Sequence, residues 1–547
     1  MGKINEKDLL DEIRFDIKKK DLIKAKLVLA SLDKVGRETQ KLALFELSRA
    51  DDDFAIPLLA GVIAANNNIF DSFPQLKEIM ISKILDSPKV LMDMLSETKE
   101  PKIRGFLAEV AGEIRLKKAA PILLGILGEE KELKSILSVI TALGMLGEPS
   151  AVSAISEHLY SDNKELVIAA ARALGEIAVP DAVRRLANRL RGEKDLDLMI
   201  LDIISKIQIS EALEKLNELL GSEFVHLRTA AKKKLGGIGS MSIRVLIKNL
   251  NRNDSDLVIH SLNVLGDLGD SAAIPHIRKL IFSGPKDPNV RFAAYEALGR
   301  LPLDKEAFTL ASGLEDPVDN VRNAAAKAID GNYNPVLSGG VRNLLRSGKA
   351  EAIKIIIAII ESECEKIFLD LIEEDFFQVP SIKYLRVKAH PDVKSRFSEI
   401  LSVAGYNDIA EQIVPGDIKV SRGKFKVFAV DDSKMILNIY RTVLHNLGCE
   451  SRLFEFPASA LDTIKKEKPD VILTDLNMPD ITGIDLTRNI RKRYSKERLP
   501  IIMVTTQDET KDNESAIAAG INGILRKPFS EGEIGEALKR FAGLRLS

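Results

Sequence analysis

The chain has 547 residues, several times the length of one compact domain, so more than one folding unit is expected. Its 79 Lys and Arg residues nearly balance its 80 Asp and Glu residues, which argues against a strong overall attraction to nucleic acid or to an anionic membrane. The two cysteines form no CxxC pair and there is no histidine cluster, which argues against a disulfide framework or a structural zinc site.

The first twenty residues are charged throughout and lack the apolar stretch of a secretion signal. The strongest aliphatic run, IIIAII at 355–360, falls far short of the ~20 residues that span a bilayer. We therefore predict a cytoplasmic protein without a membrane span.

A helical repeat runs through the first part of the chain, where Ala-rich segments such as LVIAAARALGEI and VRFAAYEALGRL end in similar triplets. The residue in the glycine position recurs at intervals of 30 to 33 residues, at Gly112, Gly144, Gly175, Lys206, Gly236, Gly266, Gly299 and Asp330. A unit of this length fits two helices and two turns. Because such a pair cannot bury its apolar face alone, neighbouring units are predicted to stack into an all-α solenoid.

Within one unit, Val290, Ala293, Ala294 and Ala297 step by three and four residues, which predicts one face of a helix. We expect the glycine to lie at the end of this helix, where a left-handed residue would stop it.

The segment DPNVRFAAYEALG at 287–299 resembles the HEAT-repeat signature DPxVRxxAAxALG. The family's arginine, eight residues before the glycine position, is matched at Arg104, Arg228, Arg291 and Arg322. The resemblance covers residues 100–345, and residues 1–99 and 346–414 are predicted as helical caps with divergent repeats. The arginines have two interpretations: a ladder that bonds the turns between repeats, or an anion-binding ridge.

After a Pro-, Gly- and Ser-containing linker at 415–424, the pattern changes to alternating strands and helices over residues 425–547. Strands are predicted at 426–430, 451–456, 470–474, 500–505 and 522–526, with a helix after each. Five such βα units predict a doubly wound, flavodoxin-like α/β domain with a parallel sheet.

Functional groups of an open parallel sheet collect beyond the carboxyl ends of its strands. The residues at these ends are Asp431, Asp432, Asp475, Thr505 and Lys527. Two carboxylates ~5 Å apart repel by roughly 3 kcal/mol at an effective dielectric near 20, so a counter-charge is needed. Mg²⁺, which prefers oxygen ligands, would supply it. A carboxylate can also attack phosphorus to form an acyl phosphate, and Asp475 is our candidate for that nucleophile.

The same segments closely resemble the receiver domain of two-component response regulators, the family that includes the chemotaxis protein CheY. The match comprises VDD at 430–432, DLNMPD at 475–480 with Gly483 after it, VTT at 504–506 and KPF at 527–529.

The resemblance implies a role for each matched residue. Asp475 would be the phosphoacceptor, and Mg²⁺ would be held by Asp431, Asp432, Asp475 and the backbone carbonyl of Asn477. Thr505 would be the switch hydroxyl and Lys527 the phosphate-binding amine, with a cis Lys527-Pro528 bond.

Three further positions bear on the family's switch and on the lifetime of its acyl phosphate. Ile524 replaces the aromatic residue that many receivers use for switching, three residues before the lysine. Asn477 and Gln507 stand where the family tunes hydrolysis of the acyl phosphate, although ordinary loop polarity explains them equally well.

The leading interpretation is a phosphorelay signalling protein, phosphorylated on Asp475 by a sensor histidine kinase or phosphotransfer protein. Its HEAT repeats would bind an unknown protein partner, and the chain would be no enzyme beyond its own phosphoryl transfer and dephosphorylation. One alternative is a phosphate sink docked to a kinase complex. A weaker one is a HEAT-type lyase or DNA glycosylase, because the chain has no Trp and no paired acid and base. No nucleic-acid partner is expected.

Overall fold

The computed structural model describes residues 6–65, 73, 75–303, 309–346, 350–413, 425–478, 481–505 and 510–544. They divide into two compact units, Met1–Lys215 and Leu216–Ser547. The predicted linker at 415–424 lies outside the described residues, as do Asp480, Thr506 and Gln507.

All regular secondary structure among the described residues of the first unit is helical. Its α-helices are Glu6–Lys19, Leu22–Leu29, Arg37–Ser48, Asp52–Ala65, Gln75–Asp86, Pro88–Glu97, Pro101–Glu113, Ala120–Glu129, Leu133–Leu146, Val152–Glu157, Lys164–Ile177, Pro180–Asn188, Lys194–Lys206 and Ser210–Glu218, the last of which contains the boundary. Short 3₁₀ helices are Leu32–Lys34, Lys117–Ala119, Pro149–Ala151 and His158–Tyr160.

The second unit begins with further helices and ends in a sheet domain, residues 425–544. The helices before the sheet are Val225–Ile238, Ile243–Asn249, Ser255–Leu268, Ile274–Phe282, Pro288–Arg300, Thr309–Ser312, Asp319–Gly331, Pro335–Arg346, Ala350–Glu361, Glu365–Leu371, Asp375–Val387, Pro391–Val403 and Asn407–Ile413. The 3₁₀ helices are Leu219–Gly221, Gly239–Ser242, Ser271–Ala273 and Gly313–Glu315.

The glycine position of the repeat lies inside its helix, so the expectation that it is the left-handed stop is wrong. A Cβ atom on Gly144 would lie 2.7 Å from the Cα of Ala173 in the next repeat, and one on Gly299 would lie 3.0 Å from the Cα of Ala328. The stop comes three residues later, where Gly147 has a φ of 63° and closes the helix Leu133–Leu146. Glycine is therefore selected at Gly144 because two helix backbones approach closely there.

The repeat arginines bond the turns between helices. Each donates from its guanidinium to the carbonyl six residues before it: Arg104 to Thr98, Arg228 to Ser222, Arg291 to Pro285 and Arg322 to Asp316. Arg291 also forms an ion pair with Asp316 of the following turn, at 2.7 Å. These contacts confirm the ladder interpretation over the anion-binding ridge.

The sheet domain has five parallel strands: β1 (Lys426–Val430), β2 (Glu450–Phe454), β3 (Val471–Asp475), β4 (Ile501–Thr505) and β5 (Gly523–Arg526). Their order is β2-β1-β3-β4-β5. The helices that alternate with them are Lys434–Asn446, Pro457–Lys466, Gly483–Arg491, Thr510–Ala519 and Glu531–Ala542. The predicted fold class, a helical array followed by a doubly wound α/β domain, is confirmed.

Both faces of the sheet are covered, as a parallel sheet requires. Every residue of β3 and β4 is buried, and the apolar cores on the two faces include Ile472 and Met503 on one and Leu473 and Val504 on the other. The alternation within each strand assigns successive side chains to opposite faces. No helix among the described residues is both long enough and apolar enough to cross a bilayer.

Candidate functional site

Two carboxylates meet where β1 and β3 end. These strands are neighbours in register, with Val430 opposite Thr474, so the next residues, Asp431 and Asp475, emerge side by side. Asp432 follows Asp431 and completes what we call the acidic cluster: Asp431, Asp432 and Asp475. Asp431 is 1% exposed and Asp475 is 8% exposed, so both are held within the protein rather than solvated.

A lysine from the far edge of the sheet joins the cluster. Lys527 follows β5, and its backbone N–H donates to the carbonyl of Thr505 at the end of β4, at 2.8 Å. Its Nζ lies 2.6 Å from Asp431 Oδ2 and 2.8 Å from Asp475 Oδ1. The parallel order of the strands thus joins residues 96 positions apart.

Backbone donors hold the other oxygen of each carboxylate. The N–H of Asn477 donates to Asp475 Oδ2 at 2.8 Å, and the N–H of Ser433 donates to Asp431 Oδ1 at 3.0 Å. Each carboxylate is therefore fixed by an ammonium on one oxygen and an amide on the other. Fixed groups of this kind do not need to reorganise when a reaction changes their charge.

Gly483 allows the loop after Asp475 to fold back on the strand. Its N–H donates to the carbonyl of Leu476 at 2.9 Å, and a Cβ at this position would lie 2.1 Å from the carbonyl oxygen of Asp475. A larger residue would push this loop away from the acceptor. The glycine of the matched motif thus has a steric cause.

The electrostatics of the cluster reflect an excess of negative charge. Burial raises the pKa of Asp431, and Asp475 adds to the shift although Lys527 opposes it. Partial desolvation and repulsion from Asp475 raise the pKa of Asp432, whose side chain is still exposed, to about 6. Burial lowers the pKa of Lys527, but attraction to Asp431 and Asp475 outweighs it and the net shift is upward. One lysine does not neutralise three carboxylates.

The donors around the cluster fit a hard divalent cation. Asp431, Asp432 and Asp475 offer only oxygen, and Asn477 Oδ1 is buried without a hydrogen-bond partner. Oxygen donors of this kind suit Mg²⁺. Within the described residues no three acidic, His or Cys side chains form a ready-made metal cage. The Lys527 ammonium contacts both Asp431 and Asp475.

Helices before the sheet domain also contribute to this site, which the sequence did not indicate. Asn289 Nδ2 donates to the carbonyl of Lys527 at 2.6 Å. A cavity of about 140 Å³ is lined by Lys232, Asn263 and Asn289 from these helices and by the acidic cluster and Lys527 from the sheet domain. Lys232 and Asn289 are 295 and 238 positions before Lys527, and no motif relates them to it.

The remaining predicted residues lie as follows. Thr505 is the buried last residue of β4, and Ile524 is partly buried against the core of the sheet. The Lys527-Pro528 bond is cis, as predicted, and Ser530 with Glu533 forms a capping box at the start of the last helix.

Comparisons with known proteins match both parts of the chain. The response regulator receiver domain matches residues 427–539, and the HEAT repeats match residues 243–330. The chemotaxis protein CheY-3 of Vibrio cholerae serotype O1 is 34% identical over 116 residues, which are 21% of this chain and 89% of that protein. The chain belongs to the response regulator receiver family. It carries that receiver domain after HEAT repeats.

Other relatives share the receiver domain. A CheY homolog of Campylobacter jejuni is 35% identical over 120 residues, 22% of this chain and 92% of that protein. The aerobic respiration control sensor protein ArcB of Escherichia coli is 32% identical over 115 residues; the match covers 21% of this chain but only 15% of that protein.

One solved structure is similar over the receiver segment. The receiver domain of sensor histidine kinase PA1611 from Pseudomonas aeruginosa, described with a magnesium ion in its active-site cleft, is 29% identical; the match covers 22% of this chain and all of that chain, with a TM-score of 0.21.

Proposed function

We propose that this protein is a cytoplasmic phosphorelay response regulator whose receiver domain is phosphorylated on Asp475 and whose HEAT repeats bind a protein partner. The observation that carries the proposal is the Lys527 ammonium, 2.6 Å from Asp431 and 2.8 Å from Asp475. This ammonium lies where the negative charge of a phosphoryl group on Asp475 would be added. A sensor histidine kinase or phosphotransfer protein would be the donor.

The proposed transfer uses the carboxylate of Asp475 as the nucleophile. One of its carboxylate oxygens attacks the phosphorus of phosphohistidine; the new O–P bond forms as the N–P bond breaks, and that electron pair stays on the imidazole nitrogen, which takes a proton. Lys527 then neutralises part of the phosphoryl charge, and Thr505 at the end of β4 supplies a hydroxyl for a phosphoryl oxygen. Phosphoryl transfer depends mainly on such positioning and charge stabilisation.

Mg²⁺, held by Asp431, Asp432, Asp475 and the carbonyl of Asn477, would neutralise the phosphoryl oxygens when bound. The chain's own residues do the rest: Asn477 N–H orients Asp475, and Gly483 keeps the loop beside the acceptor closed. The chain would have no catalytic activity beyond forming and hydrolysing its own acyl phosphate.

Direct contacts between the receiver domain and the preceding helices support an output through the helices rather than a simple phosphate sink. Arg441 of the receiver pairs with Glu363 at 2.7 Å, and Asn289 reaches the backbone of Lys527. A charge change at Asp475 therefore has a physical route to the helical region.

The test is labelling of the full chain with ³²P-acetyl phosphate, in which acetate leaves with the electron pair of the broken P–O bond. We expect a single phosphoryl group per chain with Mg²⁺ present, and its loss on chelation and in Asp475→Asn. Asp462→Asn, on the exposed surface of the helix Pro457–Lys466, is the matched control and should label normally. Labelling that persists in Asp475→Asn would overturn the proposal.

A further inference from the structure

The receiver domain is held against the preceding helices by two groups of contacts. The first involves its helix Lys434–Asn446. Arg441 Nη1 lies 2.7 Å from Glu363 Oε1, Thr442 donates to Glu361, and the rings of His445 and His390 meet edge to face with centroids 4.7 Å apart. These contacts hold the receiver helix Lys434–Asn446. The second group of contacts holds the phosphoacceptor end of the sheet.

The second group surrounds the acidic cluster. Asn289 donates to the carbonyl of Lys527 at 2.6 Å, and Phe292, one turn along the same helix, packs against the apolar core that contains Phe529. Val225 belongs to the same buried apolar cluster as Met478, close to the acceptor in sequence. Part of the phosphoacceptor end of the receiver therefore packs against helices of the same unit.

Lys232 is the cation that this second group places at the cluster. It lies two turns along the helix that begins with Val225, and it lines the same cavity of about 140 Å³ as Asp432, Asp475 and Lys527. Burial lowers the pKa of Lys232 to about 8, with Asp432 and Asp475 opposing the shift. Arg228 lowers it further and Asp267 raises it. At pH 7 the ammonium is still mostly protonated.

Phosphorylation of Asp475 makes the site more negative, which strengthens its attraction for the Lys232 ammonium. Conversion of the Asp475 carboxylate into an acyl phosphate replaces one negative charge by about two. The receiver itself contributes Lys527 as a fixed cation within bonding distance of the acceptor. Since the added charge is placed on the buried Asp475 and Lys232 lines the same cavity, solvent screens the charge little, and attraction between the two groups is stronger after phosphorylation than before.

We propose that Lys232 is a second cationic ligand for the phosphoryl group on Asp475, so that phosphorylation tightens the docking of the receiver on the helices that begin at Val225. This inference rests on the proposed function of Asp475. The phosphoryl-binding site is then composite, with Lys527 from the receiver and Lys232 from the helical array. Asn289 acts as a positioning residue because it holds the backbone of Lys527.

The experiment uses the full chain and beryllium fluoride with Mg²⁺ as the probe, because the trifluoroberyllate adduct of a carboxylate carries the same charge as an acyl phosphate. Binding is measured by ¹⁹F NMR titration, and docking by hydrogen exchange of the helices Val225–Ile238 and Lys434–Asn446. The variant is Lys232→Met. Lys233→Met is the matched control, because Lys233 is the next residue of the same helix and is exposed.

We expect the probe to increase protection of both helices in the wild type and in Lys233→Met. In Lys232→Met we expect binding about tenfold weaker, equivalent to about 1.4 kcal/mol, and no gain in protection. Equal binding and protection in Lys232→Met, or protection that falls when the probe binds, would overturn the inference. Absence of any probe binding in the wild type would instead contradict the proposed function. Circular dichroism of both variants establishes that they remain folded.

Discussion

The substitution Gly144→Ala tests whether close approach of two helix backbones is the reason for glycine at this position of the repeat. The added Cβ would lie 2.7 Å from the Cα of Ala173 and 2.9 Å from its Cβ. Neither atom belongs to a flexible side-chain end, so the helices Leu133–Leu146 and Lys164–Ile177 must move apart. The other effect of the substitution, a better helix former in mid-helix, acts in the opposite direction.

The two effects differ enough in size to predict the sign of the change in opening free energy. Overpacking a fitted interface costs about 1–3 kcal/mol, and a contact with backbone places Gly144→Ala in the upper part of that range. The gain in helix propensity is roughly 0.8–1 kcal/mol. We therefore expect a net loss of about 1–2 kcal/mol.

The measurement is native-state hydrogen exchange of the two helices, which reports a local opening free energy without assuming that the whole chain unfolds in two states. Two control variants make the same substitution at glycines where an added Cβ would meet no atom within 4 Å. They are Gly125→Ala, in the same compact unit as Gly144, and Gly236→Ala, at the glycine position of another repeat. In both controls the opening free energy of the substituted helix should rise by about 0.5–1 kcal/mol. A stabilised Gly144→Ala would refute the close-approach explanation.

Three further predictions concern the ladder, the docking contact and the acceptor site. Arg228→Ala removes the side chain of a residue that is 1% exposed and whose guanidinium is bonded to the carbonyl of Ser222. Loss of this charged hydrogen bond should lower the opening free energy of the helix Val225–Ile238, measured by hydrogen exchange, by about 2–3 kcal/mol. A loss under about 0.5 kcal/mol would contradict the role of the arginines as a ladder. A double-mutant cycle with Arg441→Gln and Glu363→Gln should give a coupling energy of about 1 kcal/mol for opening of the helix Lys434–Asn446, whereas additive single effects would mean that the ion pair does not hold the receiver. Lys527→Met should slow labelling by acetyl phosphate by about 10²-fold or more, because it removes the charge that stabilises the transferred phosphoryl group, and Lys539→Met should label at the wild-type rate; equal rates in both variants would exclude this role.

The acceptor end of the sheet was predictable because one topological rule decides it. In a parallel sheet the carboxyl ends of the strands share an edge, so the residues at the ends of β1, β3 and β5 meet whatever their separation in sequence. Asp431, Asp475 and Lys527 were predicted on that basis, and Lys527 Nζ lies 2.6 Å from Asp431 and 2.8 Å from Asp475. Strand limits differed by at most two residues, as at β2, which runs from Glu450 to Phe454 rather than from 451 to 456.

The role of the repeat glycine was not predictable from one copy of the motif. A glycine near the end of a helix is compatible with a left-handed stop and with a close contact. The two differ only in the position of the neighbouring helix, which a single repeat does not contain. The left-handed residue of the helix Lys164–Ile177 is Ala178, which no sequence rule would choose.

The contribution of the helical region to the acceptor site was also beyond the sequence. Lys232 is one of three consecutive lysines, and such a run normally indicates a solvated helix face. Its position beside Asp432 and Asp475 depends on how the receiver packs on the helices, which no local pattern encodes. Asn289, after a Pro at the start of its helix, is equally ordinary as a sequence feature.

The central claim is that Asp475 is the residue that accepts the phosphoryl group, and site mapping tests it most directly. The full chain is treated with acetyl phosphate and Mg²⁺, the acyl phosphate is reduced with borohydride to homoserine, and the digest is read by mass spectrometry. We predict the modification at Asp475 alone, and its absence when a chelator is present during labelling. Homoserine at Asp431 or Asp432 with Asp475 unchanged, or the same yield with the chelator, would contradict the account.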